Sequence, residues 1–188
     1  MTNILFFAYP MYADFEIAHT LFFLRKLGKA NLITATIDGK VVESLGGIRT
    51  TPDLSISEAD PTDFDLILIS GGDGVSEVVD DIRIHNFLQQ ANTLHKPIAS
   101  ICASATILGK AGLLKENKFT CTANTYEMFK EVFVGAEYSG ERIEVQDNII
   151  TAKGTAFPEF TLAVLDQLLL WKNNEQRESA YLFSKGEV

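Results

Sequence analysis

The chain has 188 residues, 46% of them hydrophobic and 22% charged, which suits one soluble globular domain over residues 1–188. Its formal net charge of −9 argues against a broad phosphate-binding surface, so nucleic acid is not expected as a partner. No apolar run approaches the roughly 18 residues that cross a membrane. The N-terminus lacks the basic start of a signal peptide, so we expect a cytoplasmic protein with no membrane contact.

Two cysteines, Cys102 and Cys121, lack the spacing of a disulfide framework or a metal site.

Strand and helix signals alternate along most of the chain. We predict strands at residues 4–9, 31–36, 64–69, 97–101 and 119–122, with hairpins pairing 41–42 with 48–51 and 143–145 with 149–152. We predict helices at 14–27, 80–94, 102–110 and 158–171, with a helical turn at 125–131. Such alternation predicts a mostly parallel sheet with helices on both faces. Cys121, inside a predicted strand, is expected to be a buried structural thiol.

The segment from Lys172 onward is polar and carries no predicted element. It ends with Tyr181, Leu182 and Phe183, which we expect to pack onto the body of the protein or onto a partner.

Three unusual features follow predicted strands. Glu16 comes after the first strand, Gly71-Gly72 after the strand at 64–69, and Cys102 after the strand at 97–101. Ligand sites of open parallel sheets lie beyond the carboxyl ends of the strands. If the three strands are neighbours, the three features meet in one crevice.

Cys102 is the candidate reactive centre. A nucleophile elbow needs small residues two positions before and after the nucleophile, and Ser100 and Ser104 meet this need. A thiol that opens a helix lies near unpaired N–H groups, so we expect a lowered thiol pKa. The N–H of Ala103, with one from the turn at 71–72, is the expected oxyanion site. A buried cysteine in a tight turn is the alternative.

Glu16 and the histidines are the candidate partners of Cys102. An acid near a helix start also complements the helix dipole, so Glu16 has a structural explanation beside proton transfer with the thiol. His19 lies three residues beyond Glu16 and is placed at the crevice rim. His85 and His95 are expected to be exposed to solvent. These positions do not define a Cys-His-Asp triad.

The chain resembles the ThiJ/PfpI superfamily, which is class I glutamine amidotransferase-like, over nearly its whole length. The motifs that carry the resemblance are Glu16, Ser70-Gly-Gly72, Ala99-Ser-Ile-Cys-Ala-Ser104 and Thr151-Ala-Lys-Gly-Thr…Pro158-Glu-Phe160. The resemblance implies a flavodoxin-like, doubly wound α/β/α sandwich that forms a homodimer. It implies Cys102 as nucleophile, Glu16 as its proton-sharing partner, and the amides of Gly72 and Ala103 as anion-binding donors. No metal or organic cofactor is implied.

Departures from the family pattern narrow the chemistry. The protease branch has a histidine directly after the cysteine, where this chain has Ala103. The branch of the Parkinson-disease deglycase has a pocket histidine in the stretch that matches residues 120–124, where this chain has none. This departure weakens a glyoxalase assignment that relies on the histidine, although Glu16 could serve as the acid and base. Thr122, in this stretch, is a candidate pocket residue. Gly71 and His19 are candidate pocket residues from other parts of the sequence. The loop at 153–156 is one residue shorter than in that branch.

Members of the superfamily have glyoxalase, deglycase, protease, amidase and redox-sensing roles. We expect a cofactor-free cysteine enzyme that acts on a small carbonyl or acyl compound. The alternative is a stress sensor in which Cys102 oxidises to sulfenic and sulfinic acid. A peptidase ranks lowest because the adjacent histidine is missing, and flavin binding rests on fold analogy alone.

Overall fold

The computed structural model describes residues 2–187. The strands in chain order are β1 Asn3–Phe7, β2 Asn31–Thr36, β3 Val42–Glu43, β4 Arg49–Thr50, β5 Leu54–Ser55, β6 Leu66–Ile69, β7 Ile98–Ile101, β8 Lys118–Phe119, β9 Glu137–Tyr138, β10 Ile143–Gln146 and β11 Ile149–Ala152. The helices are α1 Asp14–Lys26, α2 Ile82–Thr93, α3 Ala105–Lys110, α4 Ala123–Met128, α5 Phe157–Gln167 and α6 Asn174–Lys185.

Seven strands form one sheet in the order β10-β11-β7-β6-β1-β2-β5. Every neighbouring pair is parallel except β10 with β11, which form the predicted hairpin. The connection from β1 to β2 runs one way along the sheet and that from β6 to β7 runs the other way. Because such crossovers are right-handed, α1 and α2 lie on opposite faces. The predicted doubly wound α/β/α sandwich is confirmed.

The central strands are buried on both faces, as continuously apolar parallel strands should be. Every residue of β6 and β7 is buried, and so are four of the five residues of β1. On one face, α1 packs against α5, where the hydroxyls of Thr20 and Thr161 form a buried hydrogen bond of 2.9 Å. The three strands that precede the candidate site, β7, β6 and β1, therefore lie side by side in the core.

The C-terminal segment forms α6, which the sequence did not predict. The ring of Phe183 stacks on Phe22 of α1 at 5.7 Å and meets Phe23 edge-on. Asn173 caps the helix by accepting the N–H of Gln176. The segment therefore packs onto the body of the protein, which was one of the two expected outcomes for its aromatic residues.

Other elements differ from the prediction in their extent. The predicted strand at 119–122 is limited to β8, so Cys121 lies beyond the strand, although it is fully buried. The helix predicted at 158–171 ends at Gln167, and Leu169 follows with a positive φ of 53°. Strand β5, only two residues long, was not predicted.

None of the helices between residues 2 and 187 has the length and apolar content needed to span a bilayer.

Candidate active site

The site lies where β7, β6 and β1 end side by side. Cys102 follows β7, Gly71 lies two residues beyond β6, and Glu16 is in the first turn of α1, which follows β1. The N–H of Gly71 donates to Oε2 of Glu16 at 2.8 Å, and the Glu16 side chain is buried. The three features that the strand ends were expected to bring together are thus in contact.

Cys102 is on a sharp turn between β7 and a short 3₁₀ segment that leads into α3. Its φ is +60°, in the left-handed region, which costs a residue with a side chain roughly 1–2 kcal/mol. The hydroxyl of Ser104 donates to the carbonyl of Ile101 at 2.8 Å and lies 2.8 Å from that of Ser100. Ser100 and Ser104 therefore stabilise the elbow by hydrogen bonding as well as by their small size.

Two glycines form the walls around the Glu16–Cys102 pair. A Cβ atom at Gly71 would lie 2.5 Å from Glu16 Oε2 and 2.6 Å from the Cβ of Cys102. A Cβ at Gly154 would lie 2.5 Å from Glu16 Oε1 and 3.1 Å from Cys102 Sγ. The carboxyl and the sulfur are therefore close to one common point, and a side chain at either wall would fill that space.

Thr122 also contacts the sulfur of Cys102. Its Oγ1 is 3.0 Å from Cys102 Sγ, and within residues 2–187 its side chain does not cap α4, which it precedes. The hydroxyl of Tyr138 donates to the carbonyl of Cys121 at 3.3 Å, and the rings of Tyr138 and Tyr126 stack at 4.1 Å. These contacts hold the Thr122 backbone, so its hydroxyl is presented to the thiol.

Burial controls the protonation of the pair. Desolvation raises the pKa of Glu16 to about 7, while its interactions with the Cys102 thiol and the Gly71 N–H oppose that rise. Desolvation and the negative charge of Glu16 raise the pKa of Cys102 to about 12. The Thr122 hydroxyl and the Ala103 N–H work in the opposite direction. The predicted lowering of the thiol pKa is thus wrong, because burial outweighs the helix start.

The expected oxyanion donors differ in what they contact. The N–H of Gly71 is occupied by Glu16, so this residue positions the carboxyl. Gly72 has a φ of +138°, and a Cβ there would collide with the backbone at Met11 and Tyr12. This position therefore requires glycine. The N–H of Ala103 interacts with the Cys102 sulfur itself.

The three histidines have different surroundings. His19 packs between the rings of Phe157 and Phe183, at 5.2 Å and 6.3 Å, and its Nδ1 has no hydrogen-bond partner within residues 2–187. His95 is exposed, as expected. His85 was expected to be exposed but is buried, because its Nε2 is 2.7 Å from the carbonyl of Val79 and it faces the core side of α2.

Two residues of the site were not identified from the sequence. Gly154 lies in the motif Thr151-Ala-Lys-Gly-Thr155, which marked the position but not the contact with Cys102. Tyr138 is distant in sequence from every candidate, and its hydrogen bond to a backbone carbonyl leaves no sequence signal.

The fold and this site define a flavodoxin-like protein with a cysteine elbow and a buried carboxyl partner. The chain belongs to the DJ-1/PfpI family, whose family model matches residues 2–167. This confirms the ThiJ/PfpI resemblance.

Known proteins cover most or all of the chain. "Uncharacterized protease YdeA" from Bacillus subtilis is 32% identical over 171 residues, which are 89% of this chain and 84% of that protein. "Glutathione-independent glyoxalase DJR-1.2" from Caenorhabditis elegans is 29% identical over 143 residues, 75% of each chain. The crystal structure of DJ-1 superfamily protein Atu0886 from Agrobacterium tumefaciens matches with a TM-score of 0.88 and 26% identity, covering 100% of both chains.

Proposed function

We propose that the protein is a cofactor-free cysteine enzyme that acts on small carbonyl or acyl compounds through a Glu16–Cys102 pair. The observation that carries the proposal is the meeting of the two groups at Gly154. There, Glu16 Oε1 and Cys102 Sγ both lie within 3.1 Å of one point. A carboxyl whose pKa is raised to about 7 suits proton transfer near neutral pH.

The proposed first step is addition of the thiol to the carbonyl carbon of the substrate. Glu16 takes the thiol proton as sulfur bonds to carbon, and the electron pair of the C=O bond moves to oxygen. Glu16 then returns the proton to that oxygen, which gives a neutral adduct. The Thr122 hydroxyl stabilises the developing thiolate, and the amides of Gly72 and Ala103 are the proposed donors to the oxyanion.

The size of the site supports a small substrate. Gly71 and Gly154 lie against the reacting pair, so the space at the sulfur is narrow. Ala103 stands where the protease branch has its histidine, which argues against a peptidase. The similarity to a protein named as a glyoxalase agrees with a small carbonyl substrate.

The test is steady-state turnover of methylglyoxal, glycated amines and simple amides. We expect turnover of at least one of these by the wild type, and its loss in Cys102→Ala and Glu16→Gln. Cys121→Ala is the matched control, because that thiol is fully buried, and its rate should stay near the wild-type value. Equal rates in wild type and Cys102→Ala would exclude Cys102 as the nucleophile.

The second candidate function is redox sensing by Cys102. Its thiol is partly exposed beside a carboxyl, whereas Cys121 is fully buried. Mild peroxide should therefore convert Cys102 to sulfenic and sulfinic acid first. Mass spectrometry that finds equal oxidation of both cysteines would reject this function.

The homodimer implied by the family resemblance stays a prediction, which analytical ultracentrifugation would test.

A further inference from the structure

A cavity of about 580 Å³ lies beyond the amino ends of the central strands, at the opposite end of the sheet from Cys102. Its lining includes Asn148 and Ile149 at the start of β11, and the carbonyl of Asn148 accepts the N–H of Ile98, the first residue of β7. Cys102 follows the last residue of β7. The two sites are therefore separated by the length of the central strands, and the cavity has no part in the proposed chemistry.

Carboxamide side chains are concentrated in this cavity. Five of the chain's 14 asparagines and glutamines line it, from four separate segments: Asn92, Asn117, Gln146, Asn148 and Gln167. These side chains lie in loops and at the ends of helices and of strand β10, where many polar residues would fit, so the fold does not require carboxamides there.

Part of the lining is held in place in advance. The Asn148 amide donates to the Asn92 side chain at 3.1 Å and to the carbonyl of Lys96 at 2.8 Å. This arrangement leaves Oδ1 of Asn148 as an acceptor and Nδ2 of Asn92 as a donor toward the cavity. A donor and an acceptor that are already fixed in position favour binding, because these side chains lose little conformational entropy when a ligand binds.

The charge of the lining disfavours anionic ligands. None of the described residues that line the cavity is a lysine or an arginine, and its titratable groups are Asp147 and His95. Phosphates and carboxylates would therefore lack a fixed positive partner, in a chain whose net charge is −9. The side chains of Leu113 and Ile149 add apolar surface to the same wall.

We propose that this cavity binds a small, neutral, polyhydroxylated compound of the sugar or polyol class. Carboxamides offer a donor and an acceptor side by side, which matches neighbouring hydroxyl groups. Leu113 and Ile149, which are 6% and 5% exposed, supply a small apolar patch that suits the C–H face of a sugar ring. The volume is within the range of small-molecule sites, which is about 300–1,000 Å³.

Saturation-transfer NMR titrations of the full chain with D-glucose, D-ribose and sorbitol would test the proposal. We expect saturable binding of at least one of them, and weaker binding of gluconate because it is an anion. Stronger binding of the two rings than of sorbitol would assign the site to cyclic sugars, and the reverse order would assign it to open-chain polyols.

Variants locate the binding in the cavity. Asn117→Leu and Gln146→Leu should each weaken binding about fivefold, the worth of one hydrogen bond. Gln90→Leu is the matched control because Gln90 lines a different groove, beside α2. Cys102→Ala should bind normally, which keeps this test independent of the proposed enzyme activity. Absence of saturable binding, or equal binding by the Asn117→Leu and Gln146→Leu variants and the wild type, would overturn the proposal.

Discussion

Replacing Thr122 with valine removes the hydroxyl beside the Cys102 sulfur and keeps the shape of the side chain. The hydroxyl lies 3.0 Å from Sγ and does not cap α4 within the described chain, so the helix should be unaffected. A hydrogen bond to a charged group contributes about 1.5–3 kcal/mol, and about half of that where solvent reaches the thiol. We therefore expect the pKa of Cys102 to rise by about one pH unit in Thr122→Val.

Alkylation by iodoacetamide at a fixed pH below the thiol pKa measures this effect. A rise of one pH unit lowers the thiolate fraction about tenfold, but the more basic thiolate is about threefold more nucleophilic, so the rate should fall about threefold. Thr122→Ser keeps a hydroxyl and should react like the wild type. Cys102→Ala should not react, because Cys121 is buried. An unchanged rate in Thr122→Val would refute the assigned hydrogen bond.

Three other changes test the Glu16 carboxyl, the Gly154 wall and the Phe183 contact. Because burial raises the pKa of Glu16 from 4.5 to about 7, the native state binds more protons between these values. The free energy of unfolding should fall by up to about 3 kcal/mol as pH rises through this range, and urea titrations of Glu16→Gln should lack that slope. Gly154→Ala places a methyl group against Cys102 and should lower turnover about a hundredfold with unchanged circular dichroism. An active Gly154→Ala would contradict the narrow site. Phe183→Ala loses the stack on Phe22, and because Phe183 is 46% exposed, the cost should be about 1–2 kcal/mol. An unchanged urea midpoint would show that α6 adds little stability.

The meeting of Glu16, Gly71 and Cys102 could be predicted because it depends only on the strands that precede them. Buried parallel strands have strong sequence signals, and their carboxyl ends share one edge of the sheet. The contact with Gly154 could not be predicted in the same way. It depends on the path of a loop, and a glycine signals an allowed backbone rather than its neighbour.

The errors at His85 and α6 share a cause. Both segments are mostly polar, so local composition favoured exposure and irregular structure, whereas tertiary contacts decided the outcome. His85 is buried because Val79 supplies a carbonyl partner, and α6 forms because Phe183 has the rings of α1 to pack against. The pKa of Cys102 was misjudged for a similar reason, since burial depends on surroundings that only the fold supplies.

The left-handed backbone conformation at Cys102 lowers the stability of the fold, whereas the sulfur at that position is needed for the proposed chemistry. Glycine adopts that conformation freely, so Cys102→Gly should relieve strain at the elbow while it removes the sulfur. Laboratory evolution under heat selection alone would then enrich an inert variant. A screen for more thermostable variants of this protein must therefore measure the reactivity of the Cys102 thiol as well as the stability of the fold.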